Sequence, residues 1–324
     1  MHSALPGADD SLHVLRPSRL LNALFILVGL AVSALVARHF ASTGWPLHQA
    51  NPWLVALAGV IFLAAYAIKA WGWQRLFSSG ERPSVVTLAA AGGAASVGGI
   101  ALPGRCDDVI RVAIVRRCRR RRRASIGAVA LSLFLLGLLD SAALAPLAYA
   151  AALVSHVGGW LKVGLFVVAA AGVVAAVVVL ALPRLARLSL VARFRLARFV
   201  GEHATGRREA LHAWAAVATS WALRALAIFV LLAALGLGTD FALALSFVCA
   251  SSASAVLPVA PAGAAMQAGA GAAILAASGV RTEDAVAFGI AAQALGIAAG
   301  AACVLALAAW HLHGRLVPVR PLAA

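Results

Sequence analysis

Residues 241–280 read FALALSFVCASSASAVLPVAPAGAAMQAGAGAAILAASGV, forty positions without a charge and with prolines at 258 and 261. A bilayer core about 30 Å thick takes roughly 20 apolar residues per α-helix. Forty is twice that, yet the two prolines and the Gly- and Ala-rich run around them do not allow one continuous helix. The stretch therefore reads as a re-entrant hairpin or a closely paired set of two half-helices, broken at Pro258, Pro261 and Gly263. A second stretch, 84–102 (SVVTLAAAGGAASVGGIAL), has the same character and runs into Pro103 and Gly104. Each small-residue run ends at a Leu-Pro pair, Leu102-Pro103 in one and Leu257-Pro258 in the other.

The rest of the chain has the composition of a membrane protein. Of its 324 residues, 63% are hydrophobic and 12% charged, and the mean hydropathy is +0.95. An ordinary soluble domain is about half apolar and about a quarter charged. A soluble globular fold is excluded, and so is a disordered chain, because apolar surface on this scale is not left in water. Uncharged runs place further spans at 20–37, 53–68, 163–182 and 285–310. Two more, 124–155 and 212–236, each hold one charge, Asp140 and Arg224 respectively. The first span is read as a retained helix, since no small-residue cleavage site follows a short apolar core. These spans make one transmembrane unit, 20–310, between tails 1–19 and 311–324.

Basic charge sets the expected orientation. Lys and Arg number 27 against 11 acids, for a formal charge of +16. Nine arginines fall within 105–123 and seven within 184–208, and Arg16, Arg19, Arg315 and Arg320 lie near the ends. The opposite set of connections holds only Arg38, Lys162 and Arg281. The positive-inside bias places both termini in the cytoplasm. Parity then makes 84–104 enter and leave on the cytoplasmic side, and 241–280 on the other. Broken backbone at membrane depth is tolerated only where protein buries it or a wet cavity borders it. Two such segments opening from opposite faces mark an inverted repeat. The expected fold is an all-α polytopic membrane protein, with about six full transmembrane helices plus two re-entrant, broken segments in an inverted repeat. The Arg- and Ala-rich usage points to a bacterial source, hence to a multi-pass protein of the inner (plasma) membrane.

Asp140 and Arg224 read as the ionisable side chains deep in spans, at similar depth. Each costs about 2.5–3.5 kcal/mol at a helix centre on insertion scales, so they are expected to pair or to face one polar cavity. Arg105, Asp107, Asp108 and Arg111 follow the first broken segment. A guanidinium offers a two-pronged donor to a phosphate, and the acids would hold the arginines oriented. The alternative is an interfacial helix with Asp107 and Asp108 in its first turn, where the helix dipole favours them. The arginines of 116–123 and 184–208 read as membrane-surface anchors, with no nucleic acid as partner. Leu188, Leu190, Val191, Phe194, Leu196 and Phe199 suggest an interfacial helix in the second cluster. The sequence carries no catalytic triad, phosphate-binding loop, dinucleotide fingerprint or Cys/His metal spacing, so no enzymatic activity, metal or cofactor is expected.

Ala101-Leu102-Pro103-Gly104-Arg105, followed by Asp108 and Arg111, resembles a Pro-Gly-Arg motif of the lysylphosphatidylglycerol synthase transmembrane (flippase-like) domain family. Asp140 stands where that family carries an aspartate in the following span. Residues 261–268 resemble its second motif, and Ser278-Gly279-Val280 before an alanine-rich helix also fits. The resemblance covers about residues 20–310. Departures from the pattern are Cys106-Asp107 for Gly-Glu, Leu136-Gly137 for Glu-Arg, Ala262 for a glycine, Gln267-Ala268 where a glutamate is expected, and Gln293 where the family often has an arginine. The resemblance implies an integral membrane protein that moves lipids or lipid-linked molecules between leaflets. Arg105, Arg111, Asp107 and Asp108 would then meet the headgroup, while Asp140, Arg224 and Gln267 line a groove. The implied partners are membrane lipids, an anionic phospholipid or a polyprenyl-linked lipid, with a second copy or a lipid-synthesis enzyme as the protein partner. No soluble aminoacyl-transferase domain is read in the sequence, so amino-acid transfer is not expected. An enzyme of lipid or glycolipid assembly and a non-transporting scaffold stay open as other readings.

Overall fold

The computed structural model describes residues 35, 38–42, 44–47, 50–101, 106–117, 125–154, 158–185, 206–256 and 263–316. The first long helix, α1 (Pro52–Gln74), begins where Asn51 turns its side-chain oxygen to accept from the N–H groups of Trp53 and Leu54. Pro52 sits at the start, where no donor is needed. A short 3-10 turn (Ser79–Glu81) leads to α2 (Val85–Ala101), whose first turn is held by the Ser84 hydroxyl accepting from the Thr87 N–H at 3.1 Å. Then come α3 (Cys106–Arg117), α4 (Ile126–Val154), α5 (Gly159–Leu185) and α6 (Arg207–Ala234). The chain continues as α7 (Phe241–Val256), α8 (Gly263–Ala277) and α9 (Thr282–Leu316). Among the described residues the regular structure is entirely helical. Five helices, α1, α4, α5, α6 and α9, are long and apolar enough to cross a membrane. The protein is an all-helical, multi-pass membrane protein. The span at 20–37 falls almost wholly outside the described residues, as do most of 184–208 with its expected interfacial helix.

Side-chain registers fix the relative directions. Along α1 and α6, Gly72 lies against Ala213 and Ala216, the Ser220 hydroxyl donates to the Ala65 carbonyl at 2.9 Å, and Arg75 pairs with Glu209 at 3.2 Å. At the opposite end the Asn51 N–H donates to the Ala234 carbonyl at 2.9 Å. The two helices are therefore antiparallel and tied at both ends. Along α1 and α4, Lys69 meets Asp140 and Trp73 Nε1 donates to Ser132 Oγ at 3.1 Å, which is again antiparallel. So α4 and α6 both start on the side where α1 finishes, the alternation that parity requires.

The 241–280 stretch folds into two half-helices. The Ser251 hydroxyl donates to the Gln267 carbonyl at 2.9 Å, and Phe247 packs on Gly271. Both pairs are centred on position 259, so α7 and α8 form an antiparallel hairpin. Their 16 and 15 residues rise only about 24 and 22 Å at 1.5 Å per residue, short of a bilayer core. Pro258 and Pro261 lie outside the described residues, and Gly263 is the first residue of α8.

The other broken segment differs from expectation. Residues 84–102 do not fold back within themselves. Their Ala, Gly and Val run is tolerated as one helix, α2, because no proline interrupts it before Pro103. The returning arm is α3, inside the arginine-rich stretch, with Asp107 and Asp108 in its first turn and Arg116 and Arg117 in its last. That order suits the helix dipole at both ends. Gly98 lies against Ile110, six positions either side of 104. This hairpin thus has one apolar arm and one charged, polar arm; Pro103, Gly104 and Arg105 lie outside the described residues.

Two apolar clusters hold the helices. One centres on Phe247 and Phe288, edge to face with ring centroids 5.1 Å apart, beside Ile274 and Leu275. The other gathers Trp73, Leu88, Val129, Leu139 and Val217. Trp73 and Ser132 are both buried there, and Ser132 also donates to the Val129 carbonyl at 2.8 Å. Ser132→Ala leaves the indole N–H without its acceptor, so a loss of about 1–3 kcal/mol is expected. Thr219→Ala, at an exposed hydroxyl bonded only within its own helix, should stay within about 0.5 kcal/mol of wild type. Thermal unfolding in detergent compares the two directly.

Candidate functional site

A cavity of about 1000 Å³ opens among the spanning helices and both hairpins. On α1, Phe62, Tyr66, Lys69 and Trp73 line it, a spacing that places all four on one helix face. The α2–α3 hairpin contributes Ser96, Gly99, Asp107, Asp108 and Arg111. The α7–α8 hairpin contributes Ser251, Ser252 and Gln267. Asp140 comes from α4, Trp221 and Arg224 from α6, and Gln293 from α9.

Of the two alternatives for Asp140 and Arg224, a direct pair or one shared cavity, the pair does not form, while both side chains line the cavity. Lys69 Nζ lies 2.8 Å from the Asp140 carboxylate, and Trp221 Nε1 donates to the same carboxylate at 3.0 Å. Lys69 escapes a reading that ends the span at residue 68, because α1 continues through Ala70-Trp71-Gly72-Trp73 to Gln74. Lys69 thus joins Asp140 and Arg224 as an ionisable residue that borders the cavity from a spanning helix. The signal was present in sequence: two tryptophans beyond the lysine prolong the apolar face, and Lys69 falls on the Phe62-Tyr66-Trp73 stripe.

Arg224 has no carboxylate partner among the described residues. Its guanidinium carbon lies 4.9 Å from the Trp221 ring and 5.4 Å from the Tyr66 ring, and its Nε is buried without a hydrogen-bond partner. Ring contacts of this kind contribute from about 0.5–1 kcal/mol at exposed sites to about 2 kcal/mol where desolvated. Desolvating an ion costs several kcal/mol, so the two rings offset only part of it and the guanidinium keeps donors to spare. Both rings are themselves anchored. Trp221 is held by Asp140, and the Tyr66 hydroxyl lies 2.5 Å from Ser96 Oγ.

Arg111 is satisfied differently. It lies 2.8 Å from Asp108 and 3.4 Å from Asp107, so two carboxylates share one guanidinium. Gln267 and Gln293, the positions where the resemblance placed a glutamate and an arginine, meet across the groove, with Gln293 Nε2 donating to Gln267 Oε1 at 3.4 Å. Two positions 26 residues apart in sequence are therefore neighbours in space. Among the described residues no group of three His, Cys, Asp or Glu could hold a metal ion.

Residues 22–315 match the family described as Lysylphosphatidylglycerol synthase TM region. No curated protein and no solved structure matches the chain at a significant level. The matched region takes in the α2–α3 hairpin with its Asp-Arg cluster, the aspartate of α4 and the small-residue α7–α8 hairpin, and on that extent the chain belongs to the lysylphosphatidylglycerol synthase transmembrane family.

Proposed function

We propose that this protein is a flippase-like lipid carrier, which takes the polar part of a phospholipid or lipid-linked molecule into the groove and passes it between leaflets without altering it covalently. The observation that carries this reading is the groove itself. Ion pairs and free hydrogen-bonding groups at membrane depth are expensive and are retained where they border a path for polar matter, and the half-helices of both hairpins border this one. Paired broken helices around a central site are the architecture of alternating access. The family membership supports a membrane-embedded role in the handling of lipids.

In this reading the side where α1 ends and α6 begins is cytoplasmic, since Arg75, Arg82, Arg207 and Arg208 lie there, as do Arg116 and Arg117 at the end of α3. The cell membrane of a bacterium is the expected location, with both termini inside. The test is leaflet translocation in proteoliposomes, using fluorescent phosphatidylglycerol and a membrane-impermeant quencher. The wild-type protein should accelerate quenching of the inner-leaflet probe over protein-free vesicles. Asp140→Asn combined with Arg224→Gln should reduce that acceleration at least tenfold. Wild-type vesicles no faster than empty ones, with phosphatidylglycerol and with a polyprenyl phosphate, would sink the proposal. A covalently altered lipid in the same vesicles would favour an enzyme of lipid assembly instead.

A further inference from the structure

We propose that Arg224, flanked by Tyr66 and Trp221, is the anion subsite of the groove and receives the phosphodiester of a diacyl phospholipid. The inference rests on the lipid-carrier reading and names the group that the carrier grips. Three described cations border the cavity. Lys69 is paired with Asp140, and Arg111 is paired with both Asp107 and Asp108. Arg224 alone among those three has no acid beside it, and its Nε is buried without a partner. Lys69, Asp140 and Arg224 together therefore carry a surplus positive charge, and Arg224 is the one of the three described cations left free to meet an anion.

The rings prepare the site. The polar atom of each ring is engaged away from Arg224, Trp221 Nε1 by Asp140 and the Tyr66 hydroxyl by Ser96. They limit where the guanidinium can go without using its donors. A planar guanidinium with free N–H groups matches the two non-bridging oxygens of a phosphodiester.

The shape of the cavity argues for a lipid rather than a free phosphate. Val109 on α3 and Phe134 on α4 line it and yet are 67% and 57% exposed. Gly99 on α2 and Gly137 on α4 also line it, and a Cβ at either would meet open space. The groove is thus open sideways between the α2–α3 hairpin and α4, toward the surface that acyl chains cover. A headgroup can sit inside while its tails stay outside.

The experiment measures equilibrium binding to the full-length protein in detergent by quenching of tryptophan fluorescence. The probes are a bromine-labelled phosphatidylglycerol, a diacylglycerol with the same labelled chains, and, as competitors of the first, glycerophosphoglycerol and inorganic phosphate. Arg224→Gln should raise the phosphatidylglycerol Kd at least tenfold and leave the diacylglycerol Kd within twofold. Arg224→Lys should recover part of the loss, and Arg111→Gln should weaken binding less than Arg224→Gln does. An Arg224→Gln protein that binds phosphatidylglycerol like wild type overturns the subsite, and so does an Arg111→Gln protein that loses more affinity. Should Arg224→Gln not fold, the wild-type ratio decides: equal affinity for phosphatidylglycerol and diacylglycerol overturns the proposal. Competition by inorganic phosphate or glycerophosphoglycerol as strong as that by the lipid overturns the assignment to a lipid. If wild type translocates lipid while Arg224→Gln binds normally, the subsite falls and the carrier reading stands. If wild type neither binds nor translocates lipid, the carrier reading falls.

Discussion

Asp140→Ala is expected to lower the unfolding midpoint of the purified protein by about 3–5 °C. The carboxylate takes both Lys69 Nζ and Trp221 Nε1, and its removal leaves an ammonium beside Arg224 with no counter-charge. Breaking a wholly buried pair by removing one partner costs about 3–5 kcal/mol, and an exposed pair contributes about 0–1 kcal/mol. The two side chains are 22% and 24% exposed, which places the loss near 2–3 kcal/mol, and an unfolding entropy of about 2.1 cal/mol/K per residue makes that roughly 1.5 °C per kcal/mol for a chain of this length. The discriminating comparison is the double replacement of Lys69 by Met and Asp140 by Leu. With neither charge present, the double variant should unfold at a higher temperature than Asp140→Ala. A double variant no more stable than the single one would show that Lys69 does not depend on Asp140. Asp140→Asn keeps an acceptor for Trp221 and should fall between wild type and Asp140→Ala.

Gly93→Ala should be still more damaging for one methyl group. A Cβ at Gly93 would run into the backbone of Gly300 on α9, against its carbonyl oxygen, with its carbonyl carbon at 2.8 Å and Cα at 2.9 Å. Backbone atoms cannot rotate away as a side-chain tip can, so α2 and α9 must separate along their contact. Overpacking costs about 1–3 kcal/mol and occasionally more; here the upper end is expected, with a smaller folded fraction by size-exclusion chromatography. Gly99→Ala is the internal control, six residues along the same helix. It meets nothing within 4 Å and should be neutral or stabilising, since Ala exceeds Gly in helix propensity by about 1 kcal/mol. Equal outcomes for the two variants would contradict the close α2–α9 crossing.

Much of the architecture is legible in sequence because hydropathy and proline are local signals. The 241–280 hairpin follows from its length, Pro258 and Pro261, and the parity of the basic loops. The α2–α3 hairpin was only half legible. Its apolar arm is evident in the run 84–102, but its second arm, Cys106–Arg117, is polar enough to pass for a loop, and only packing on Gly98 identifies it as a partner. Of the site, Asp140 and Arg224 stand out by their cost in an apolar span. Their partners do not, because pairing is settled by helix register. Asp140 meets Lys69 across 71 positions, and Arg224 meets Tyr66 across 158, and nothing in the local sequence of either says so. The Gln267–Gln293 contact is of the same kind. As two separate departures from a motif they look like erosion, and as neighbours they form one neutral pair.

The ties at both ends of the α1–α6 pair, Asn51 to Ala234 and Arg75 to Glu209, make those two helices a mast. Tyr66, Lys69, Trp221 and Arg224 are all mounted on it, and Asp140 is not. Asp140 on α4 is bound to the mast twice, by Lys69 and by Trp221, and Ser132 of the same helix a third time, by Trp73, so any displacement of α4 against the mast would have to give up a charge pair and two indole hydrogen bonds together.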